Sequence, residues 1–365
     1  MNIVFRVDSS DLIGTGHLYR CLHMAHHYRD HNVYFICKKH PYNLNDKVAE
    51  AYTLLEIENG TDQEISLDMT TWLGESEAND AKKTIAILTA HHIEVDWLVV
   101  DHYAINSTWE TMLRHYTKKI AVIDDFTTRQ HDCDAIVNQQ ITPERGLSEY
   151  NHLKQRGCKV CCGNDYLLLN PRYFAYTDTD LTKSYGNAIS RIAIFMGGAD
   201  TCNTTETVLR TCIEFNENLP QPIRLDVVVG KANRHYEKLN EYVSAYPYVR
   251  MYYDIPFIGD VLVNADLSIG APGTTSYERC ITNTPSLCVC IAENQLTVVD
   301  KFIDAGCMKY LGTIEDDYQE RLLYWLEYFY NNAKELQTMS EACASVVDVK
   351  TNKNKSILDI EWKKN

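Results

Sequence analysis

Gly14-Thr15-Gly16-His17 is the stretch of this chain whose residue types best suit chemistry. It follows an apolar run, Ile3 to Val7, and precedes Leu18, Cys21, Leu22 and Ala25, which recur at helical spacing. Two glycines ahead of a helix let backbone N–H groups come close to a phosphate or a sugar. A histidine there is kept neutral by the helix dipole, so its imidazole can take a proton from water. The same four residues also suit an ordinary tight turn with a surface histidine. They are not a dinucleotide fingerprint, because Tyr19 stands where G-x-G-x-x-G needs its third glycine. Arg6 and Asp8 flank the loop, and Asp8 is placed to orient His17 or a sugar hydroxyl; a local salt bridge explains the pair equally well.

Five further groups close strand-like runs. Asp96 to Tyr103 delivers Asp101, His102 and Tyr103 at its end. Asp101 reads best as a cap of the next helix, and Tyr103 as a hydrogen-bonding or stacking partner for substrate. Asp124-Asp125 resembles a chelating pair, but turn or cap chemistry, or a bond to Arg129, is the better reading. Gly197-Gly198-Ala199-Asp200 suits close backbone approach to a ligand. Gly270 to Glu278 is the strongest motif of the second half. Its glycine loop opens a helix with Thr274, Thr275 and Ser276, suited to a diphosphate, and Glu278 is placed to accept both hydroxyls of a ribose. A hydroxyl-rich helix cap is the alternative. Glu293-Asn294-Gln295 offers uncharged donors for a sugar.

These groups must be held by strands alternating with helices, which argues for parallel α/β architecture. The strand candidates are Ile3–Val7, Val33–Cys37, Trp97–Val100, Ile120–Ile123 and Ala135–Val137, then Ile192–Phe195, Leu225–Val229, Val249–Tyr252, Leu267–Ile269 and Ser286–Val289. Residues 62–93 read as largely helical, and Arg321 to Met339 as one helix. The expected domains are 1–170 and 191–345, joined by a polar linker at 171–190 and followed by a polar tail at 346–365. Ligands in such domains bind at the carboxyl ends of the strands, so the cleft between two of them is the expected site.

Composition narrows the partners. A net charge of −15 disfavours nucleic acid, which needs Lys and Arg for its phosphates. No apolar run is long enough to span a membrane, and the N-terminus opens on a strand with no basic head, so a cytoplasmic protein is expected. The 13 cysteines are odd in number and scattered, and read as small core residues of a reducing compartment. Cys158-Lys159-Val160-Cys161 lacks a second such pair to complete a zinc site, and His131 with Cys133 adds little. No cofactor is expected, and no oligomeric state is assigned.

Arg6-Val7-Asp8 with Gly14 to Cys21, Asp101-His102-Tyr103, Asp124-Asp125, Gly197 to Asp200, Gly273 to Cys280 and Asn294-Gln295, in this order, resemble the nucleotide-sugar hydrolases of pseudaminic acid biosynthesis, the UDP-2,4-diacetamido-2,4,6-trideoxy-β-L-altropyranose hydrolase family. The resemblance spans residues 1 to about 310. It implies a GT-B-like fold, two Rossmann-like domains with parallel sheets facing a central cleft, the second binding UDP and the first supplying catalytic groups. It implies hydrolysis of a UDP-linked diacetamido-trideoxy hexose at the anomeric C–O bond, with inversion and without metal, in nonulosonic acid biosynthesis. By it, His17 is the base for water, and Tyr103, Asn294 and Gln295 take the family's site positions; with the residues read above, Asp8 joins His17 and Tyr103 as catalytic groups, and Gly14, Gly16, Arg6, Gly198, Gly273, Thr274, Thr275, Glu278, Asn294 and Gln295 are the expected substrate-binding residues. The chain departs from the family in its extra residues around 62–93 and at the C-terminus, and in Ala271-Pro272 and Asn170-Pro171. A glycosyltransferase using a UDP-amino sugar on the same fold is the competing reading, and a non-catalytic sugar-nucleotide binder a third.

Overall fold

The first strand, β1 (Asn2–Val7), sets the logic of the first sheet. Ile3, Phe5 and Val7 enter one apolar cluster and Val4 the opposite one. Alternate side chains of a strand point to opposite faces, so a strand buried along both faces must be covered on both sides. The computed structural model describes residues 1–59, 64–154, 157–179, 181–186, 188–292, 295–348, 351 and 357–358. The chain divides into two units, Met1–Leu169 together with the residues from Thr351 on, and Asn170–Lys350.

Unit 1 carries β1, β2 (Asn32–Lys38), β3 (Thr53–Ile57), β4 (Val95–Asp101), β5 (Thr117–Ile123), β6 (Ala135–Asn138) and β7 (Lys159–Cys162). Among the described residues they form one parallel sheet of order β3-β2-β1-β4-β5-β6-β7. The order reverses between β1 and β4, where Val7 lies opposite Asp101. Such a switch point splays the loops on either side and leaves room for a ligand. Unit 2 carries β8 (Arg191–Phe195), β9 (Arg224–Val229), β10 (Val249–Tyr253), β11 (Leu267–Gly270), β12 (Ser286–Cys290) and β13 (Met308–Thr313), ordered β10-β9-β8-β11-β12-β13 and again parallel. Its switch point lies between β8 and β11, where Phe195 pairs with Gly270. Each unit is thus a doubly wound α/β sheet.

All ten expected strands form. The three additional ones, β3, β7 and β13, are all sheet edges. Their short apolar runs are broken by polar residues or glycine, whereas the fourth edge, β10, carries the recognisable run Val249 to Tyr252. The helix expected over Arg321 to Met339 is two helices, Tyr318–Asn331 and Glu335–Val346. The Asn331 and Asn332 side-chain amides donate to the carbonyls of Glu327 and Tyr328. Asparagine amides that compete for backbone acceptors in this way favour a helix end. Within 62–93 the long helix is Glu77–Ala90, capped by Ser76, whose hydroxyl accepts from the Asn79 N–H. Near the C-terminus, read as a polar tail, Ile357 and Leu358 are buried in the core of unit 1, and the Leu358 N–H donates to the Tyr28 hydroxyl. Two adjacent branched apolar residues in a polar stretch are the local signal for that docking. No described helix is long and apolar enough to cross a membrane.

Candidate active site

The helix Gly16–His26 starts directly after the loop that leaves β1. Gly14 takes a φ of +84°, a conformation that L side chains rarely adopt. Its N–H donates to the Ser10 carbonyl at 2.9 Å, which closes the turn. No side chain caps the helix. Its first N–H groups therefore point out of the turn with no acceptor from a capping side chain, and the positive end of the dipole lies there.

His17 is the second residue of that helix and is only 7 % exposed. Its Nδ1 lies 2.7 Å from Asp101 Oδ1 at the end of β4. A carboxylate that close requires the proton on Nδ1, so a neutral ring presents an unprotonated Nε2. Asp101 is itself clamped by Arg20, whose Nε donates to Oδ2 at 2.5 Å and Nη2 to Oδ1 at 2.6 Å. Burial alone would raise the Asp101 pKa; the Arg20 guanidinium and His17 overcome it and hold the carboxyl well below the usual range. Arg20 Nη1 also donates to Asp125 Oδ2 at 2.6 Å, and the Tyr103 hydroxyl donates to the same oxygen at 2.5 Å. Burial first, then the Asp125 charge, push the Tyr103 phenol well above its ordinary value, so it stays protonated as a donor.

Aromatic rings enclose the imidazole. Tyr103 stands edge-on to His17 at 4.4 Å between centroids, and Trp72 edge-on at 6.0 Å. Trp72 stacks on Tyr103, and Phe126 packs against the same tyrosine. Ile13 completes the apolar cluster. Trp72 comes from the 62–93 stretch, the part of the chain that departs from the resembled family.

Below this layer lies a buried ionic network. Arg6 is fully buried, donating to Asp8 at 2.6 and 2.9 Å and to Asp80 at 3.2 and 2.8 Å. Asp80 also accepts from Trp109 Nε1 and faces Lys38 Nζ at 3.1 Å. Asp8 accepts the Lys38 N–H at 2.7 Å and meets His102 Nε2 at 3.3 Å and His40 Nε2 at 3.6 Å. Burial is the main cause that lowers the His102 pKa, which favours its neutral form. Buried charges persist only when paired in this way.

Of the two readings of Arg6 and Asp8, the local salt bridge forms. Arg6 is fully buried, against Asp80 and Trp109 of two helices. Asp8 orients His102 and Arg6; the group on His17 is Asp101, expected as a helix cap. Asp101 points to His17 because β4 lies directly beside β1, which no local pattern reveals. Arg20 was absent from the expected site, although its i+3 spacing from His17 puts both on one helix face. Asp124 does bond Arg129, and Tyr150 donates to its Oδ2 at 2.9 Å. His131 sits between Glu110 and Asp124 and, against the effect of burial, is pushed up to about 9 by these acceptors.

In unit 2, two glycine loops flank the switch point and differ at the helix ends they open. After β8, Asp200 accepts from the N–H groups of Thr204 and Thr205 at 2.9 and 2.8 Å, so the protein's own carboxylate fills that helix start beyond Gly198. After β11, the N-cap of the helix Thr274–Ile281 is Gly273, which brings no side chain of its own, and Ser276 Oγ accepts from the Gly273 N–H at 3.3 Å. Gly273 has a φ of +144°, and the space where a Cβ would stand is open. Gly270 must be glycine: a Cβ there would lie 2.1 Å from the Phe195 carbonyl and from Arg279 Nη2. Arg279 of the same motif donates to Ser268 Oγ and to the Ala271 carbonyl, bracing the loop. Thr274 and Thr275 are half-buried. Glu278 is 8 % exposed, and burial raises its carboxyl to about 7 against the opposing pull of Arg279. Gln295 Oε1 accepts from the Ile291 N–H at 2.8 Å. Asn294 lies outside the described residues.

No family model matches the chain. It is 24% identical over 296 residues, 81% of its length and 93% of the relative's, to the UDP-2,4-diacetamido-2,4,6-trideoxy-beta-L-altropyranose hydrolase of Campylobacter jejuni. Among solved structures it superposes on MurG of Acinetobacter baumannii with a TM-score of 0.59 and 11% identity, covering 96% of this chain and 97% of that one. The spinosyn rhamnosyltransferase SpnG, complexed with thymidine diphosphate, superposes with a TM-score of 0.56 and 15% identity over 96% of both chains. The two parallel-sheet units match the glycosyltransferase architecture called GT-B. This chain therefore has the GT-B fold and is a distant sequence relative of a UDP-sugar hydrolase.

Proposed function

We propose that this chain hydrolyses a UDP-linked diacetamido-trideoxy hexose at the anomeric C–O bond, releasing UDP and the free sugar for nonulosonic acid biosynthesis. The observation that carries the reading is the His17–Asp101 pair at an uncapped helix start. His17 Nε2 removes a proton from water as the water oxygen bonds to the anomeric carbon. The bond from that carbon to the diphosphate oxygen breaks, and UDP leaves with the electron pair. Attack opposite the leaving group inverts the anomeric centre. Asp101 fixes the tautomer and stabilises the imidazolium, a pairing that in other enzymes contributes strongly to rate.

On this reading the loop and helix start at Gly273 to Ser276 hold the diphosphate through backbone N–H groups, Glu278 takes the ribose hydroxyls, and Asn294 and Gln295 contact the sugar. Tyr103, Gly14 and Gly16 complete the sugar side. The diphosphate charge is then met by helix-end donors, so the reaction needs no metal. The name of the Campylobacter jejuni relative supports the substrate class.

A glycosyltransferase is the second reading, favoured by the fold of SpnG. The two separate in one experiment: a panel of UDP-amino sugars incubated with the protein and no acceptor. The hydrolase releases UDP in multiple turnovers. Release only after an acceptor is added would replace it with the transferase.

A further inference from the structure

Outside the candidate active site, three cysteines of unit 2 converge. Cys280 lies on the helix Thr274–Ile281, Cys307 directly precedes β13, and Cys343 lies on the helix Glu335–Val346. The three are 2, 2 and 1 % exposed. Their Sγ atoms lie within 4.8 Å of one another, with Cys280 and Cys307 at 3.8 Å. Among the described residues no other three metal-ligating side chains converge this closely.

We propose that Cys280, Cys307 and Cys343 form a three-thiolate site for a thiophilic divalent cation of the zinc and cadmium class. Two sulfurs bound at about 2.3 Å to one tetrahedral zinc stand about 3.8 Å apart, which is the Cys280–Cys307 separation. The three ligands come from three separate elements, so an ion at their centre ties the helix that carries Glu278 to an edge strand and to the last long helix. A disulfide would use two of these sulfurs and leave the third; a metal uses all three. Soft thiolates select such ions over magnesium or calcium.

The charge balances. Each thiol gives up its proton to solvent as its sulfur bonds the ion, and no oxidant or reductant takes part. Three thiolates and a divalent ion carry one net negative charge. The Lys301 ammonium interacts electrostatically with Cys280 and Cys307, and Lys183 with Cys343. The inference does not rest on the hydrolase reading.

The test is a cadmium titration of the reduced, chelator-treated full chain, read by sulfur-to-cadmium charge-transfer absorption in the ultraviolet. One ion per chain is expected at this site. Cys280→Ser and Cys343→Ser should each lower its affinity by more than roughly tenfold, while Cys202→Ser, at an exposed position, should leave it unchanged. X-ray absorption of the wild-type protein with one equivalent of cadmium should show three sulfur neighbours, a readout that survives if the variants fail to fold. Equal affinity in wild type and the Cys280→Ser/Cys343→Ser double variant, or fewer than three sulfurs around the ion, overturns the site.

Discussion

Glu278→Gln should stabilise the protein at neutral and alkaline pH while weakening its hold on UDP. The carboxyl is buried, and its pKa rises from 4.5 to about 7, chiefly through burial. Below pH 4.5 both the folded and the unfolded chain hold the proton, and the group costs folding nothing. Between 4.5 and about 7 the unfolded chain gives up its proton while the folded one keeps it, so the unfolded state gains and stability falls as pH rises. Above about 7 the loss is complete. At 1.36 kcal/mol per pKa unit it amounts to about 3 kcal/mol. Glutamine fills nearly the same volume and does not titrate, so the variant escapes this loss. The assay is urea unfolding of both proteins at a series of pH values. The stability difference should grow in the variant's favour by about 3 kcal/mol between pH 4.5 and pH 8. UDP affinity at pH 8, by calorimetry, should fall about tenfold, because a neutral acceptor replaces a charged one. A stability difference that stays constant with pH would show that the carboxyl pays no burial penalty, and unchanged UDP affinity would move the ribose away from Glu278.

Other perturbations separate the roles within unit 1. His17→Asn should keep UDP binding and lose roughly 10²–10⁴-fold in turnover, the worth of a positioned base; near wild-type turnover removes His17 from the mechanism. Asp101→Asn should also reduce turnover, and unlike His17→Asn it should cost about 1–3 kcal/mol of stability in denaturant, because the buried Arg20 guanidinium keeps Asp125 but loses its bidentate partner; equal stability of the two variants would show that Arg20 does not depend on Asp101. Turnover in excess EDTA should match turnover with added magnesium, and a full loss restored by magnesium or manganese contradicts a metal-free leaving group.

What the sequence discloses and what it hides follow one physical division. Local signals carry the strands buried on both faces, the two glycine loops and the helix behind each, because apolar runs and glycine spacing are properties of neighbouring residues. The strands β3, β7 and β13 lack that signal because polar residues or glycine break their short apolar runs. The site partners are hidden for a different reason. Asp101 lies 84 residues from His17, and Asp80 lies 74 from Arg6; only the order β2-β1-β4 brings them together. Asp8 is adjacent to the loop in sequence, yet its carboxylate turns to the Lys38 N–H and the Arg6 guanidinium. The pull of Trp72 onto the imidazole was equally invisible, since its stretch reads only as generic helix.

On the proposed mechanism, water activated at His17 attacks the anomeric carbon. Turnover of the UDP-sugar in water enriched in heavy oxygen, followed by mass spectrometry of both products after a single round, tests it directly. One heavy oxygen is expected in the released sugar, at the anomeric position, and none in UDP, with labelled sugar forming more slowly in His17→Asn in proportion to its turnover. Heavy oxygen in the UDP phosphate would mean that the P–O bond is cut instead, and would contradict the account.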